Sequence, residues 1–110
     1  MRETGPNGFY SQVIRRINAS FPEAIILRGN SELINGIPDI VIIHYDRWAA
    51  LEVKRRHDAP TRPNQKYYID LLNNWSYASI IHPQNENEVF LELESALSSS
   101  ADRLIARATE

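Results

Sequence analysis

The stretch that most constrains the fold of this chain is GIPDIVIIHYDRWAALEVKRR, residues 36–56. It holds two apolar runs, residues 39–45 and 48–54, and each contains the β-branched and aromatic side chains typical of strands. Only Asp46 and Arg47 separate the runs, which predicts an antiparallel hairpin closed by a two-residue turn at this dipeptide. The remaining segments must then pack around this hairpin.

Three charges stand at the open end of the predicted hairpin. Asp39 begins the first run, and Glu52 and Lys54 end the second. An unpaired charge is costly to bury, so each of the three should have a partner, a bound cation or a solvent-filled cleft. The turn would place Tyr45 opposite Trp48 and Asp39 opposite Lys54. Glu52 would then lie diagonal to Asp39, at about 7 Å between backbone positions.

Side chains alternate along a strand, which separates the polar residues of the hairpin from the apolar ones. One face is predicted to hold Asp39, Val41, Glu52 and Lys54. The opposite face is predicted to hold Ile40, Ile42, Leu51 and Val53. We therefore expect the second face to join the core and the first to border a polar site.

The polar face suits hydrolytic chemistry at a metal ion. Asp39 and Glu52 can bind one hard divalent cation through oxygen, and this ligand type favours Mg²⁺, with Mn²⁺ as an alternative. Lys54 can orient or help deprotonate a water, or stabilise charge that builds on a phosphate. Gln65, early in the next helix, is expected to face the sheet and to position a water or a phosphate.

Apolar periodicity predicts the other elements. The expected segments are a helix over 8–20, strands over 24–28, 39–45 and 48–54, a helix over 63–75, a strand over 76–83, a helix over 87–99 and a short helix within 101–109. The order α-β-β-β-α-β-α predicts an α/β fold, with a central mixed sheet flanked by helices.

Length and composition predict a single domain over residues 1–110 of a soluble, globular type. The sequence has no cysteine, which excludes disulfides and thiolate metal sites. No apolar run approaches the roughly 20 residues that span a membrane. The first twelve residues lack the apolar segment of a signal peptide, so we expect a cytoplasmic protein.

The net charge of −2 hides an uneven distribution. Residues 47–66 carry six cations against two acids, whereas residues 84–110 carry six acids against two cations. A basic patch beside the carboxylates can bind nucleic-acid phosphates. The residues predicted to do so are Arg55, Arg56, Arg62 and Lys66.

The pattern Pro38-Asp39, twelve residues, then Glu52-Val53-Lys54 resembles the PD-(D/E)xK nuclease motif. The segments NGIPDIV, ALEVK and PNQKYYIDLL are similar to stand-alone virus-type replication-repair nuclease (VRR-NUC) domains, whose small members resemble Holliday junction resolvases. This resemblance implies a restriction-endonuclease-like core and a metal-dependent, dimeric endonuclease selective for branched DNA. By position it implies Asp39 and Glu52 as metal ligands, Lys54 in catalysis and Gln65 as a supporting site residue.

One departure from the family leaves alternatives open. Many relatives supply a further acid from the first helix, but residues 8–20 contain none, and Glu3, Glu23 or Glu32 would have to replace it. The chain could therefore be a non-catalytic nucleic-acid-binding module on the same fold. A third reading is a structural subunit of a repair or replication complex, with the acidic C-terminal region as the contact.

A homodimer is expected from symmetry and from spare apolar surface. A four-way junction needs two symmetric cuts, which two sites related by a two-fold axis would supply. Residues beyond the predicted core are available for such a contact. They are Trp48, Tyr67, Trp75 and the Leu104-Ile105 pair.

Overall fold

The computed structural model of the protein describes residues 8–98, which form a four-stranded sheet with three helices. The elements are α1 (Phe9–Ser20), β1 (Ile25–Arg28), β2 (Ile40–His44), β3 (Arg47–Val53), α2 (Pro63–Trp75), β4 (Tyr77–Ile81) and α3 (Glu86–Ala96). This order confirms the predicted α-β-β-β-α-β-α arrangement. The short helix expected within 101–109 lies outside the described residues. The helix expected over 87–99 begins at Glu86 and ends at Ala96, before its predicted end.

The strands lie in the order β1-β2-β3-β4, so neighbours in the sheet are also neighbours in the chain. The first two pairs are antiparallel and the β3–β4 pair is parallel. A parallel pair needs a long crossover, and α2 supplies it. The predicted mixed sheet is therefore confirmed. Among the helices of residues 8–98, none is long and apolar enough to cross a membrane.

The predicted hairpin register was wrong by two residues. The turn falls at Tyr45 and Asp46, so His44 pairs with Arg47 and Ile43, not Tyr45, lies opposite Trp48. Tyr45 adopts a φ of 57°, a left-handed conformation that turn rules reserve mainly for glycine and asparagine.

Tyr45 makes two side-chain contacts in this conformation. Its hydroxyl donates to Glu23 Oε2 at 3.0 Å, and its ring meets the His44 ring edge-on at 4.7 Å. The partner Glu23 lies outside the hairpin, so local turn chemistry could not predict this hydrogen bond.

One face of the sheet carries the main core, between the strands and the pair α1 and α3. The strand residues of this core are Ile40, Ile42, Ala49, Leu51, Val53 and Ile81. The helices add Phe9, Tyr10, Val13, Ile17, Val89, Phe90 and Leu93, and Phe21 and Leu97 complete the cluster. The four hairpin residues predicted to face the interior all belong to it, because a two-residue slip leaves each side chain on the same face.

The opposite face is covered over only part of its width. Helix α2 packs against β3 and β4, and its apolar residues are no more than half-buried. Over β1 the side chains of Ile25 and Leu27 are 58% and 48% exposed, and their β2 partners Ile43 and Val41 are half-buried. An apolar strip of β1 and β2 therefore faces solvent beside α2.

The outer strand β4 is tied to α3 through Tyr77. Its hydroxyl donates to Glu92 Oε1 at 2.5 Å. Burial, and then this hydrogen bond, raise the pKa of Tyr77 far above its usual range. Tyr77 therefore remains a hydrogen-bond donor at all ordinary pH values.

Candidate active site

The charged end of the hairpin opens into a cleft of about 890 Å³. Residues from the loop between β1 and β2 form one wall, and residues from the loop between β3 and α2 form the other. The cleft contains Asp39, Glu52, Lys54 and Gln65, the four residues predicted for the site. The turn at Tyr45 lies at the far end of the same two strands.

The two carboxylates are brought closer than the sequence predicted. With the observed register, Asp39 lies one position beyond the Ile40–Leu51 pair and therefore opposite Glu52, not opposite Lys54. Residues opposite each other on one face of an antiparallel pair have Cβ atoms about 5 Å apart. Asp39 Oδ2 accepts a hydrogen bond from the backbone N–H of Val53 at 2.9 Å, which fixes its side chain across the two strands.

Glu52 is 5% exposed, yet it lines the cleft. A buried carboxylate needs charged or hydrogen-bonding partners. Its Oε2 accepts a hydrogen bond from Gln65 Nε2 at 2.9 Å and lies 3.8 Å from Lys54 Nζ. The predicted proximity of Lys54 to the carboxylates is thus present in the structure.

Lys54 is held at its ammonium by two acceptors besides Glu52. Its Nζ donates to Gln65 Oε1 at 2.9 Å and to the carbonyl oxygen of Pro60 at 3.1 Å. Its side chain is 13% exposed, so this geometry is shielded from bulk water. The ammonium is therefore directed into the cleft beside the carboxylates.

Gln65 connects α2 to both charged residues of β3. Its amide nitrogen donates to Glu52 while its Oε1 accepts from Lys54 and from the backbone N–H of Arg62, at 3.1 Å. Arg62 is the N-cap of α2, so the same oxygen satisfies a backbone donor at the helix start. Gln65 orients the Glu52 carboxylate and the Lys54 ammonium through the rigid first turn of a helix.

The predicted phosphate-binding residues separate into two groups. Arg55, Arg56 and Arg62 line the cleft. Lys66 is not among the lining residues, and its Nζ pairs with Asp70 on the exposed side of α2 at 2.7 Å. The structure therefore brings three of these four cations to the site.

None of the three acids considered as a further ligand lines the cleft among the described residues. Glu23 bonds to Tyr45 at the far end of the hairpin, and Glu32 is exposed on the cleft-side loop without lining the cleft. Glu3 lies outside the described residues. Within residues 8–98, no group of three or more histidine or acidic side chains is placed to hold a metal ion.

The donor set still fits one Mg²⁺. This ion is commonly bound by one or two carboxylates, with waters and substrate phosphates as its other ligands. Asp39 and Glu52 supply two carboxylates on one face of an open cleft. A site with two metal ions would need further acids.

Two residues that the sequence reasoning missed also shape the cleft. Tyr10 of α1 is 2% exposed and lines it, with the Arg28 guanidinium 5.1 Å from its ring centre. Its position three residues before Val13, on the buried helix face, was the available signal.

Gly36 has a φ of 93°, and a Cβ there would come 2.5 Å from Asn64 Cβ. Only glycine lets this wall approach α2 so closely.

Comparison with known proteins bears on the fold. No family model matches the sequence, and no curated protein matches it. The structure is similar to a solved structure described as a VRR_NUC domain protein, with a TM-score of 0.53 and 16% sequence identity. The match covers 79% of this chain and 88% of that one. The chain therefore has a VRR_NUC-like fold, which confirms the resemblance seen in the sequence at the level of fold.

Proposed function

We propose that this nuclease-like fold is an active metal-dependent endonuclease that hydrolyses phosphodiester bonds in branched or Holliday-junction DNA. The observation that carries the proposal is the convergence of Asp39, Glu52, Lys54 and Gln65 in one cleft, joined by direct hydrogen bonds and an ion pair. A binding module would have no need to bury Glu52 beside an opposed carboxylate at a cost in desolvation.

Each residue of the cleft has a distinct role in this proposal. Asp39 and Glu52 would hold one Mg²⁺, which when bound supplies Lewis-acid stabilisation of the phosphate and a more acidic water. Lys54 presents its ammonium to the attacking water or to the developing charge on phosphate. Gln65 holds Lys54 and Glu52 in their relative positions.

The three arginines support a nucleic-acid substrate. Arg55, Arg56 and Arg62 are exposed at the edge of a cleft that has two acids at its base. Guanidinium groups pair well with phosphate oxygens. Arg56 also lies 3.4 Å from Asp58, a weak exposed pair that phosphate can replace. Because Lys66 is already paired with Asp70, we expect it to contribute less.

The decisive experiment measures cleavage of labelled junction, flap and linear duplex DNA while Mg²⁺ or Mn²⁺ is titrated. The proposal expects metal-dependent cutting that is faster on the branched substrates. Binding without cutting at any metal concentration would instead support the non-catalytic module. Failure to bind any of the three DNAs would leave the role of a structural subunit.

We also propose a homodimer, because two sites are needed for paired cuts. The open apolar strip of β1 and β2 offers the surface, with Ile25 and Leu27 exposed on an edge strand. Trp75 and Tyr67 of α2 are 67% and 59% exposed. Packing of two such strips face to face about a two-fold axis would cover these apolar side chains.

Sedimentation equilibrium at micromolar concentration tests the dimer. We expect a dimer for the full chain and a monomer for Leu27→Glu, with Leu91→Glu on α3 as the matched exposed control. A monomeric full chain that cuts both strands of a junction in one binding event would contradict the proposal.

A further inference from the structure

The loop between β1 and β2 has an apolar tip that the proposed chemistry does not use. Leu33 is 82% exposed and the adjacent Ile34 is 44% exposed. Single exposed leucines are common on protein surfaces, but two neighbouring large apolar side chains at the tip of a loop are not explained by packing. They are available to contact whatever enters the cleft beside them.

The tip is folded by its own hydrogen bonds. The carbonyl oxygen of Asn30 accepts from the backbone N–H groups of Leu33 and Ile34, each at 3.1 Å. The side-chain Oδ1 of Asn30 accepts from the backbone N–H of Glu32 at 2.9 Å. The two apolar side chains are therefore presented by a defined turn.

The base of the loop is fixed against the site. The backbone N–H of Gly29 donates to the carbonyl oxygen of Asp39 at 2.9 Å, next to the metal-binding carboxylate. Gly36 packs against Asn64 at the start of α2, and the same loop supplies Ser31 to the cleft wall. Leu33 and Ile34 do not line the cleft themselves, but they lie between Ser31 and Asn35, which do, so the tip stands at the rim of the cleft.

Charge determines which part of a nucleic acid would meet the tip. Arg55, Arg56 and Arg62 come from the opposite wall, so the phosphate backbone is attracted to that side. The tip, residues 30–35, carries Glu32 and no cation, which disfavours phosphate there. Bases are then the part that faces Leu33 and Ile34. Apolar side chains that insert between base steps partly unstack them and kink the helix.

We infer that Leu33 and Ile34 form a wedge that inserts into the base stack at the branch point of DNA bound in the cleft. The inference rests on the proposed function and assigns a cause to its structure selectivity. Unstacking is least costly where bases are already unpaired or mispaired, so a wedge favours branched DNA over continuous duplex.

The test of insertion does not need cleavage. Glu52→Gln chains are mixed with a fork that carries 2-aminopurine at the branch point, and with a linear duplex that carries it at the same sequence position. The wedge predicts a rise in fluorescence on binding to the fork. Adding Leu33→Ser and Ile34→Ser should abolish the rise, while adding Leu91→Ser, an exposed leucine on a helix that does not line the cleft, should leave it intact.

The same substitutions in the chain with Glu52 intact test selectivity. We expect the ratio of fork to duplex cleavage to fall by about tenfold or more, the change that burial of one large apolar side chain supports. Fluorescence that rises without any cleavage would keep the wedge and reject the nuclease.

Three results would overturn the wedge. One is a bound fork with no fluorescence rise, and another is an equal loss of fork and duplex cleavage in the doubly substituted chain. The third is a doubly substituted chain that no longer dimerises but still raises the fluorescence of the fork, because the tip would then contact protein and not DNA. Absence of binding to any DNA would reject both the wedge and the nuclease.

Discussion

The two ends of the β2–β3 hairpin are built from the same pair of strands but use their polar residues differently. At the open end Asp39 and Glu52 lie opposite each other beside a cleft, with Lys54 and Gln65 against Glu52. At the turn end His44 is 7% exposed, and its Nδ1 lies 2.8 Å from the carbonyl oxygen of Leu97. A carbonyl can only accept, so Nδ1 carries the hydrogen.

Under the proposed function, the polar groups of the open end serve chemistry and those of the turn end serve the fold. At the turn end, His44 donates to the backbone carbonyl of Leu97, and its ring packs edge-on against the Phe21 ring at 5.4 Å. His44 thereby anchors the end of α3 to the sheet. The open end gathers two carboxylates, and Lys54, Gln65 and the backbone N–H of Val53 help to offset their mutual repulsion. Substitutions at the open end should therefore affect cleavage, and those at the turn end should affect stability.

The largest expected effect is the loss of cleavage in Glu52→Gln and in Asp39→Asn. Each change removes the charge of a proposed metal ligand with little change in volume, so the rate should fall by about 10³-fold or more while the fold and much of the DNA binding remain. Glu23→Gln, at the other end of the hairpin, is the matched control and should cut normally. Lost DNA binding with unchanged cleavage per bound complex would reject the assignment.

Lys54→Ala should lower turnover by about 10²-fold, because in the proposed mechanism its ammonium acts on the water or the phosphate rather than on the metal. Calorimetry should show metal affinity largely retained. Weaker metal binding with an unchanged rate at saturating metal would identify Lys54 as a structural counter-ion to Glu52.

His44→Ala tests the turn end. It removes a buried ring and its hydrogen bond to Leu97, which should cost about 2–3 kcal/mol in the free energy of unfolding. Denaturant titration measures this cost, and cleavage per folded molecule should not change. A rate loss without a stability loss would break the division between the two ends.

Gln65→Ala should reduce turnover by about tenfold, less than Lys54→Ala, because Gln65 orients the reacting groups without contacting the substrate in the proposed mechanism. The informative comparison is Gln65→Glu, which keeps an acceptor for Lys54 but replaces the donor to Glu52 with a second negative charge. Its activity should be lower than that of Gln65→Ala. The reverse order would show that the donor to Glu52 is unimportant.

The smallest effect is expected for Tyr45→Phe, which removes only the exposed hydrogen bond to Glu23. We expect unfolding to change by no more than about 1 kcal/mol, with normal cleavage. A larger loss of stability would show that this contact is the main support of the left-handed turn.

Local pattern was enough for much of this molecule. The 63–75 helix has the predicted bounds, and the apolar face of the hairpin was identified correctly although its register was not. Alternation of side chains has a period of two residues, so a slip of two residues preserves the face of every side chain. The motif residues Asp39, Glu52 and Lys54 therefore came to one face under either register.

The features that only the tertiary structure decided depend on contacts between segments that are distant in the chain. The turn brings Tyr45 to Glu23, 22 residues away in the chain, and His44 anchors β2 by bonding to Leu97. The orientation of Lys54 depends on Gln65, eleven residues further along the chain and on a different element. The sequence by itself determined which residues share a face, because that is local geometry. Which residues touch was decided by packing, because no local pattern encodes the meeting of segments that are far apart in the chain.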